Sequence, residues 1–166
     1  PATQRRKRAL GRDLKASVHE HLFVSHDFER DDLRARLAEA PFRMTEPSVF
    51  VWEGVTMYLS IDAIRSTLSA LTSRLAAGSL LVMSYYDSSG ASGPPSRMTE
   101  ALASLLGERF RTRFAPHEAA ALVEEFGFAV EHDSGRDDWA RACGQTALGA
   151  AQERLLFARR STGNSG

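Results

Sequence analysis

The stretch "SVFVWEGVTMYLSIDAIRSTLSALTSRLAAGSLLVMSYYD", residues 48–87, decides the fold. Its first run, Val49 to Trp52, is wholly apolar and β-branched or aromatic, the pattern of a strand covered on both faces. Glu53 and Gly54 end that run. From Ser60 the period changes. Ile61, Ile64, Leu68, Leu71 and Leu75 recur at three and four residues, which predicts an amphipathic helix with Ser60 as N-cap, Asp62 at its positive end and Gly78 closing it. "SLLVMSYYD" then reads as a second buried strand. Strand, helix and strand with short links form a βαβ crossover, the unit of an open α/β sheet.

Outward from that unit, "ATQRRKRALGRDL" predicts a basic helix, and Leu22 to Val24 in "VHEHLFVSHDF" predicts a short strand. "ERDDLRARLAEA" predicts a helix with Leu33 and Leu37 on one face, stopped by Pro41. Residues 88–96, "SSGASGPPS", read as a loop, either a surface connection or a substrate lid. "MTEALASLLGERF" and "PHEAAALVEEFGF" predict helices, the second with Pro116 in its first turn. "AVEHDS" and "ERLLFARR" predict two closing strands separated by a long excursion, and "STGNSG" a disordered tail over residues 161–166, so that residues 1–160 hold the domain.

Composition narrows the function classes. A chain of 166 residues, 43% hydrophobic and 25% charged, has the make-up of one globular domain rather than a disordered segment. With 21 basic and 21 acidic side chains it offers no general electrostatic attraction for nucleic acid; the run Arg5, Arg6, Lys7, Arg8 reads as a solvated helix face. The single cysteine, Cys143, excludes a disulfide framework and fits a reducing cytoplasm. No apolar run reaches the roughly 18 residues of a membrane span. His19, His21 and His26 make too small a cluster for a metal site. Neither a nucleophile elbow nor a Walker-type glycine loop is present.

In open α/β sheets ligands bind beyond the carboxyl ends of the strands. Three acids fall there: Asp27, Glu53 and Asp87. Asp27 and Asp87 serve equally well as turn or cap residues. Glu53 is harder to read as a cap, because Gly54 to Leu59 separate it from Ser60, so it is the leading candidate for ligand contact.

"PATQRRKR", "VSHDFERDDL" and above all "VWEGVTMYLS" resemble the leucine carboxyl methyltransferase family, closest to its bacterial branch of S-adenosylmethionine-dependent O-methyltransferases. The likeness in order and spacing runs from residue 1 to about residue 132, and "ERLLFARR" is similar to that fold's last strand. The resemblance implies a Rossmann-like class I methyltransferase sheet, with strand order 3-2-1-4-5-7-6, and S-adenosyl-L-methionine as methyl donor. It implies that Asp27 and Phe28 hold the adenine, and that Glu53 belongs to the cofactor pocket. The family's first two strands, its glycine-rich loop and its ribose-binding acid have no counterpart in these residues, so the expectation is a carboxyl-terminal portion of such an enzyme. The acceptor is expected to be a carboxylate or hydroxyl of an unidentified small molecule or protein, with His117, Tyr58 or Tyr86 as candidate base if it is a hydroxyl. A sheet without its inner strands has an exposed edge, which favours homo-oligomers or a non-catalytic interaction module as the competing reading.

Overall fold

The computed structural model describes residues 24–39, 45–89, 110–145 and 153–161. The chain divides into two compact units, residues 1–42 and 43–166. In the first, α1 (Leu33–Glu39) realises the helix expected in "ERDDLRARLAEA". The strand expected at Leu22 to Val24 is not seen in the described residues: Val24 belongs to no strand, and Leu22 and Phe23 lie outside them. The basic first helix lies outside them as well.

Among the described residues the second unit has four strands: β1 (Val49–Trp52), β2 (Leu80–Tyr86), β3 (Phe128–Gly135) and β4 (Glu153–Arg160). Their order in the sheet is β1-β2-β4-β3. β1 and β2 are parallel, with Val49 opposite Leu80 and Trp52 opposite Met83. β4 runs antiparallel between β2 and β3. This is the 4-5-7-6 half of the order the family resemblance implies.

Between β1 and β2 runs α2 (Ile61–Thr72), preceded by a single 3₁₀ turn at Thr56–Tyr58. Ser60 is the N-cap, its hydroxyl accepting from the Ala63 N–H at 3.2 Å. The helix ends six residues before Gly78, because Leu75 is already packed from a turn that hydrogen-bonds to Leu71. α3 (Pro116–Glu125) starts with proline at its first position, and the Glu118 carboxylate accepts from the Ala115 N–H at 2.7 Å. Ile64, Leu68, Leu71, Ala119 and Val123 are buried together with Trp52, Leu81, Met83 and Leu156 from the sheet. At about 25 cal/mol per Å² of apolar surface, this helix-on-sheet layer is the main stabilising term of the unit.

Two expectations are corrected here. β1 is not covered on both faces: Trp52 is 2% exposed, but Val49 and Val51, which alternate with it, are 66% and 59% exposed. Among the described residues no strand pairs with its outer edge. Phe110, placed at the end of a helix by sequence pattern, lies outside any helix; the rest of "MTEALASLLGERF" is outside the described residues. The excursion between β3 and β4 contains a short helix that the sequence pattern did not announce, α4 (Arg136–Ala142). No described helix is long and apolar enough to cross a membrane.

Candidate functional site

The parallel strands β1 and β2 end side by side, and the chain leaves β1 through Glu53 and Gly54. Gly54 adopts φ +69°, a left-handed conformation that glycine takes without strain, which turns the chain away from the strand direction. Its N–H donates to the Ser84 hydroxyl of β2 at 2.8 Å, and the Thr56 hydroxyl donates to the Ser84 carbonyl. Ser84 and Thr56 are 0% and 1% exposed, so the turn is clamped from below. Glu53 is exposed at this mouth, and its carboxylate has no hydrogen bond or ion pair among the described residues. A carboxylate on a fixed turn at a strand end can accept from a hydroxyl or ammonium without first breaking another contact.

The segment 110–114 returns across the ends of both strands. The Met57 carbonyl accepts from the Arg111 N–H at 2.7 Å, and Thr112 donates through its hydroxyl to the Leu59 carbonyl. On the β2 side, the Phe114 N–H donates to the Tyr86 carbonyl and the Ser88 N–H to the Phe114 carbonyl. Rings follow this lacing: Tyr58 stacks on Phe110 at 5.5 Å and Tyr86 meets Phe110 at 4.9 Å. Met57 is buried beneath and Tyr58 half-buried. Burial, with Glu153 nearby, raises the Tyr86 phenol above its usual range, against the opposing effect of Arg113.

Asp87, the acid after β2, is spent on its own turn. One oxygen accepts from both the N–H and hydroxyl of Ser89, at 2.7 and 2.6 Å, and the other lies 3.9 Å from Arg154. Beside it is a polar cluster that sequence pattern did not reveal. Tyr85, 1% exposed, donates to the Asp133 carboxylate at 2.6 Å; Arg154 donates to the other Asp133 oxygen at 3.0 Å and to the Tyr85 hydroxyl at 3.1 Å. These residues meet because β4 lies between β2 and β3, a register no local pattern encodes. Burial first, and then the Asp133 hydrogen bond, raise the Tyr85 phenol well above its ordinary value.

In the first unit, Asp27 opens a turn. Its side chain accepts from the Glu29 N–H at 3.0 Å, its carbonyl from Asp31 N–H at 2.8 Å, and its own N–H donates to the Asp31 carboxylate at 2.9 Å. Phe28 is half-buried with its ring edge-on to His26 at 4.8 Å. Burial lowers the His26 pKa, with Asp31 opposing. His19 and His21 lie outside the described residues, and among those residues no group of three or more His, Cys, Asp or Glu could hold a metal. His117 is exposed in the first turn of α3.

A cavity of about 710 Å³ opens between α2, α3 and the 111–114 segment, lined by Ile61, Arg65, Arg111, Arg113, Phe114 and Leu122 among others. Glu53 does not line it, so volume alone points away from the strand-end acid. Position and chemistry favour the strand end as the candidate site for this class of sheet.

The leucine carboxyl methyltransferase family model matches residues 1–72. The Bacillus subtilis protein YktD, provisionally named an S-adenosyl-L-methionine-dependent methyltransferase, is 29% identical over 144 residues, which cover 83% of this chain and 47% of YktD. The chain thus spans about half the length of that curated relative. Among solved structures, a protein of Thermobifida fusca provisionally named a methyltransferase matches with a TM-score of 0.61 at 18% identity, over 95% of this chain and 59% of that one. The magnesium protoporphyrin IX methyltransferase of Synechocystis, solved with SAH bound, matches with a TM-score of 0.50 at 14% identity, over 96% of this chain and 57% of that one. At such identities the structural likeness is one of fold, and it agrees with the α/β sheet described above. Over residues 1–72 the chain is thus similar to the leucine carboxyl methyltransferase family, and over most of its length to YktD.

Proposed function

We propose that this chain forms the carboxyl-terminal part of an S-adenosyl-L-methionine-dependent O-methyltransferase, with Glu53, Asp27 and Phe28 as cofactor-binding residues. The observation that carries the reading is Glu53: an exposed carboxylate without a partner among the described residues, set on a clamped glycine turn at the carboxyl end of a parallel strand. Such a group suits the cationic, amino-bearing methionine end of the cofactor. In Asp27, one oxygen accepts from the Glu29 N–H of its own turn, and the other, 3.9 Å from the exposed Arg30 side chain, is the one to meet an exocyclic amine. Phe28 supplies an adjacent backbone N–H and ring surface. When bound, the cofactor supplies an activated methyl group; the protein holds an acceptor oxygen close and in line with it.

A carboxylate acceptor fits better than a hydroxyl. It arrives ionised and needs no base, whereas Tyr86 has its phenol held protonated by burial and His117 lies exposed on α3. The single thiol, exposed Cys143, fits a cytoplasmic setting, where it stays reduced.

Titration calorimetry of this chain with S-adenosylhomocysteine tests the reading. Saturable binding is expected, weakened roughly tenfold in Glu53→Gln, the scale of one charge-assisted contact. No saturable heat up to ~1 mM overturns it. A second reading, self-association through the open side of β1, is favoured by the exposure of Val49 and Val51.

A further inference from the structure

His26 is a buried titratable group beside the two residues proposed to hold the adenine. Its side chain is 9% exposed, and among the described residues its Nδ1 has no hydrogen-bond partner. Its ring meets Phe28 edge-on at 4.8 Å. The Asp31 Oδ2 stands 3.9 Å from that Nδ1. The same oxygen accepts from the Asp27 N–H at 2.9 Å and lies 3.8 Å from Arg36. In return the Asp31 N–H donates to the Asp27 carbonyl at 2.8 Å, so residues 27 and 31 close a turn from both ends, with Phe28 inside it. One oxygen thus joins the buried histidine to the adenine turn.

Among the described residues the charged groups around His26 are Asp31, Asp27 and Asp32, which favour its proton, and Arg36, which opposes it. Burial outweighs them, so the imidazole is neutral at neutral pH. Both ring nitrogens of an imidazolium are donors, so on protonation Nδ1 needs an acceptor in a place nearly closed to water. To reach the roughly 2.8 Å of a charge-assisted hydrogen bond, Nδ1 and the Asp31 Oδ2 must close by about 1 Å. Movement of the carboxylate draws it from the Asp27 N–H, and movement of the ring draws it from Phe28. Either one loosens the turn.

We propose that Asp31 is a positioning residue for the Asp27–Phe28 adenine contact, and that a proton on His26 weakens its hold, so that cofactor affinity falls in acid. Both roles rest on the proposed contact of Asp27 and Phe28 with the cofactor, and add to it a residue and a pH dependence. By linkage, bound cofactor makes His26 harder to protonate.

Titration calorimetry of the full chain with S-adenosylhomocysteine at pH ~7.5 and pH ~5, on either side of the ordinary histidine value, tests this. In the parent the Kd is expected to rise about fivefold or more between the two. In His26→Gln, which cannot take the proton, that rise is expected to vanish. Asp31→Ala is expected to weaken binding roughly tenfold at pH ~7.5, and Asp31→Asn, which keeps an oxygen for the Asp27 N–H, to recover most of the loss. Proton NMR of the His26 ring in the free chain gives a readout without cofactor. Its titration midpoint is expected to fall in Asp31→Asn, because a negative charge that favours the proton has gone. Saturable binding with the same pH profile in parent and His26→Gln, Asp31→Ala binding as tightly as the parent, or a His26 midpoint unmoved by Asp31→Asn each overturns the proposal and leaves the cofactor reading standing. No saturable binding by the parent at either pH overturns the cofactor reading, and the proposal with it.

Discussion

The Gly54 N–H donates to the Ser84 hydroxyl at 2.8 Å across the ends of β1 and β2, and this contact holds the turn that carries the candidate carboxylate. Ser84 is wholly buried, and its backbone carbonyl also receives the Thr56 hydroxyl. One serine therefore holds both sides of the turn that carries Glu53. Ser84→Ala removes the acceptor and leaves the Gly54 N–H unsatisfied, which is expected to cost about 1–3 kcal/mol of stability. Urea unfolding, compared with the parent chain, measures this. A loss below about 0.5 kcal/mol, the range of ordinary surface substitutions, would mean that the clamp is not what holds the turn.

The Tyr85–Asp133–Arg154 cluster makes a pH prediction. Burial and the Asp133 carboxylate raise the Tyr85 phenol in the folded chain, while in the unfolded chain it titrates near 10. A raised folded pKa means that the folded state keeps the proton longer than the unfolded state does. Its stability contribution is fully present below pH ~10 and is lost as pH rises through the folded value. Alkaline unfolding curves are expected to fall more steeply above pH ~10 in the parent than in Tyr85→Phe, which lacks the titrating hydroxyl. At neutral pH the same variant is expected to be about 1–3 kcal/mol less stable, because Asp133 and Arg154 lose a buried partner. Parallel curves for the two proteins would count against the linkage.

What the sequence disclosed follows physical locality. Periods of 2 and 3.6 and the caps at Ser60 and Pro116 are local properties, so β1, α2, β2, α3, β3 and β4 are legible in it. The acid at the end of β1 is legible too, because Glu53 stands too far from Ser60 to cap α2. The alternatives for Asp27 and Asp87 were not separable, since a turn and a ligand demand the same residue; in the structure both carboxylates serve turns. Non-local facts were hidden. Tyr85, Asp133 and Arg154 come from three strands and meet only through register. The apolar run of β1 implied burial on both faces, but alternation along it states only which side chains share a face, not whether anything covers them. α4 escaped notice because it buries no residue completely, and so has no apolar stripe to announce it.

Two glycines with positive φ should respond differently to alanine. At Gly54, φ +69°, a Cβ would meet nothing within 4 Å, so Gly54→Ala is expected to cost only the left-handed backbone term, about 1–2 kcal/mol. At Gly127, φ +75°, a Cβ would lie 2.6 Å from an Arg160 guanidinium nitrogen. That nitrogen donates to the Gly127 carbonyl at 2.8 Å, so the side chain must move and give up the contact. Gly127→Ala is expected to lose the same backbone term plus about 1 kcal/mol for the broken bond. Denaturant midpoints of the two variants check the order; a Gly54 variant at least as damaged as the Gly127 variant contradicts it.

The exposed side of β1 predicts concentration-dependent behaviour. Val51 is 59% and Val49 66% exposed, side by side on a strand whose outer edge has no partner among the described residues. Such an edge offers backbone donors and acceptors beside an apolar surface, which together template pairing with another chain. A lysine there keeps the strand and opposes pairing through charge and solvation. Val51→Lys is therefore expected to leave the unfolding midpoint nearly unchanged, within about 0.5 kcal/mol, because the parent side chain is already largely in water. The same substitution is expected to lower the mass measured by light scattering at high protein concentration. A parent chain that scatters as a monomer over the whole concentration range removes the basis for self-association, and a Val51→Lys variant that associates as the parent does moves the interface away from β1.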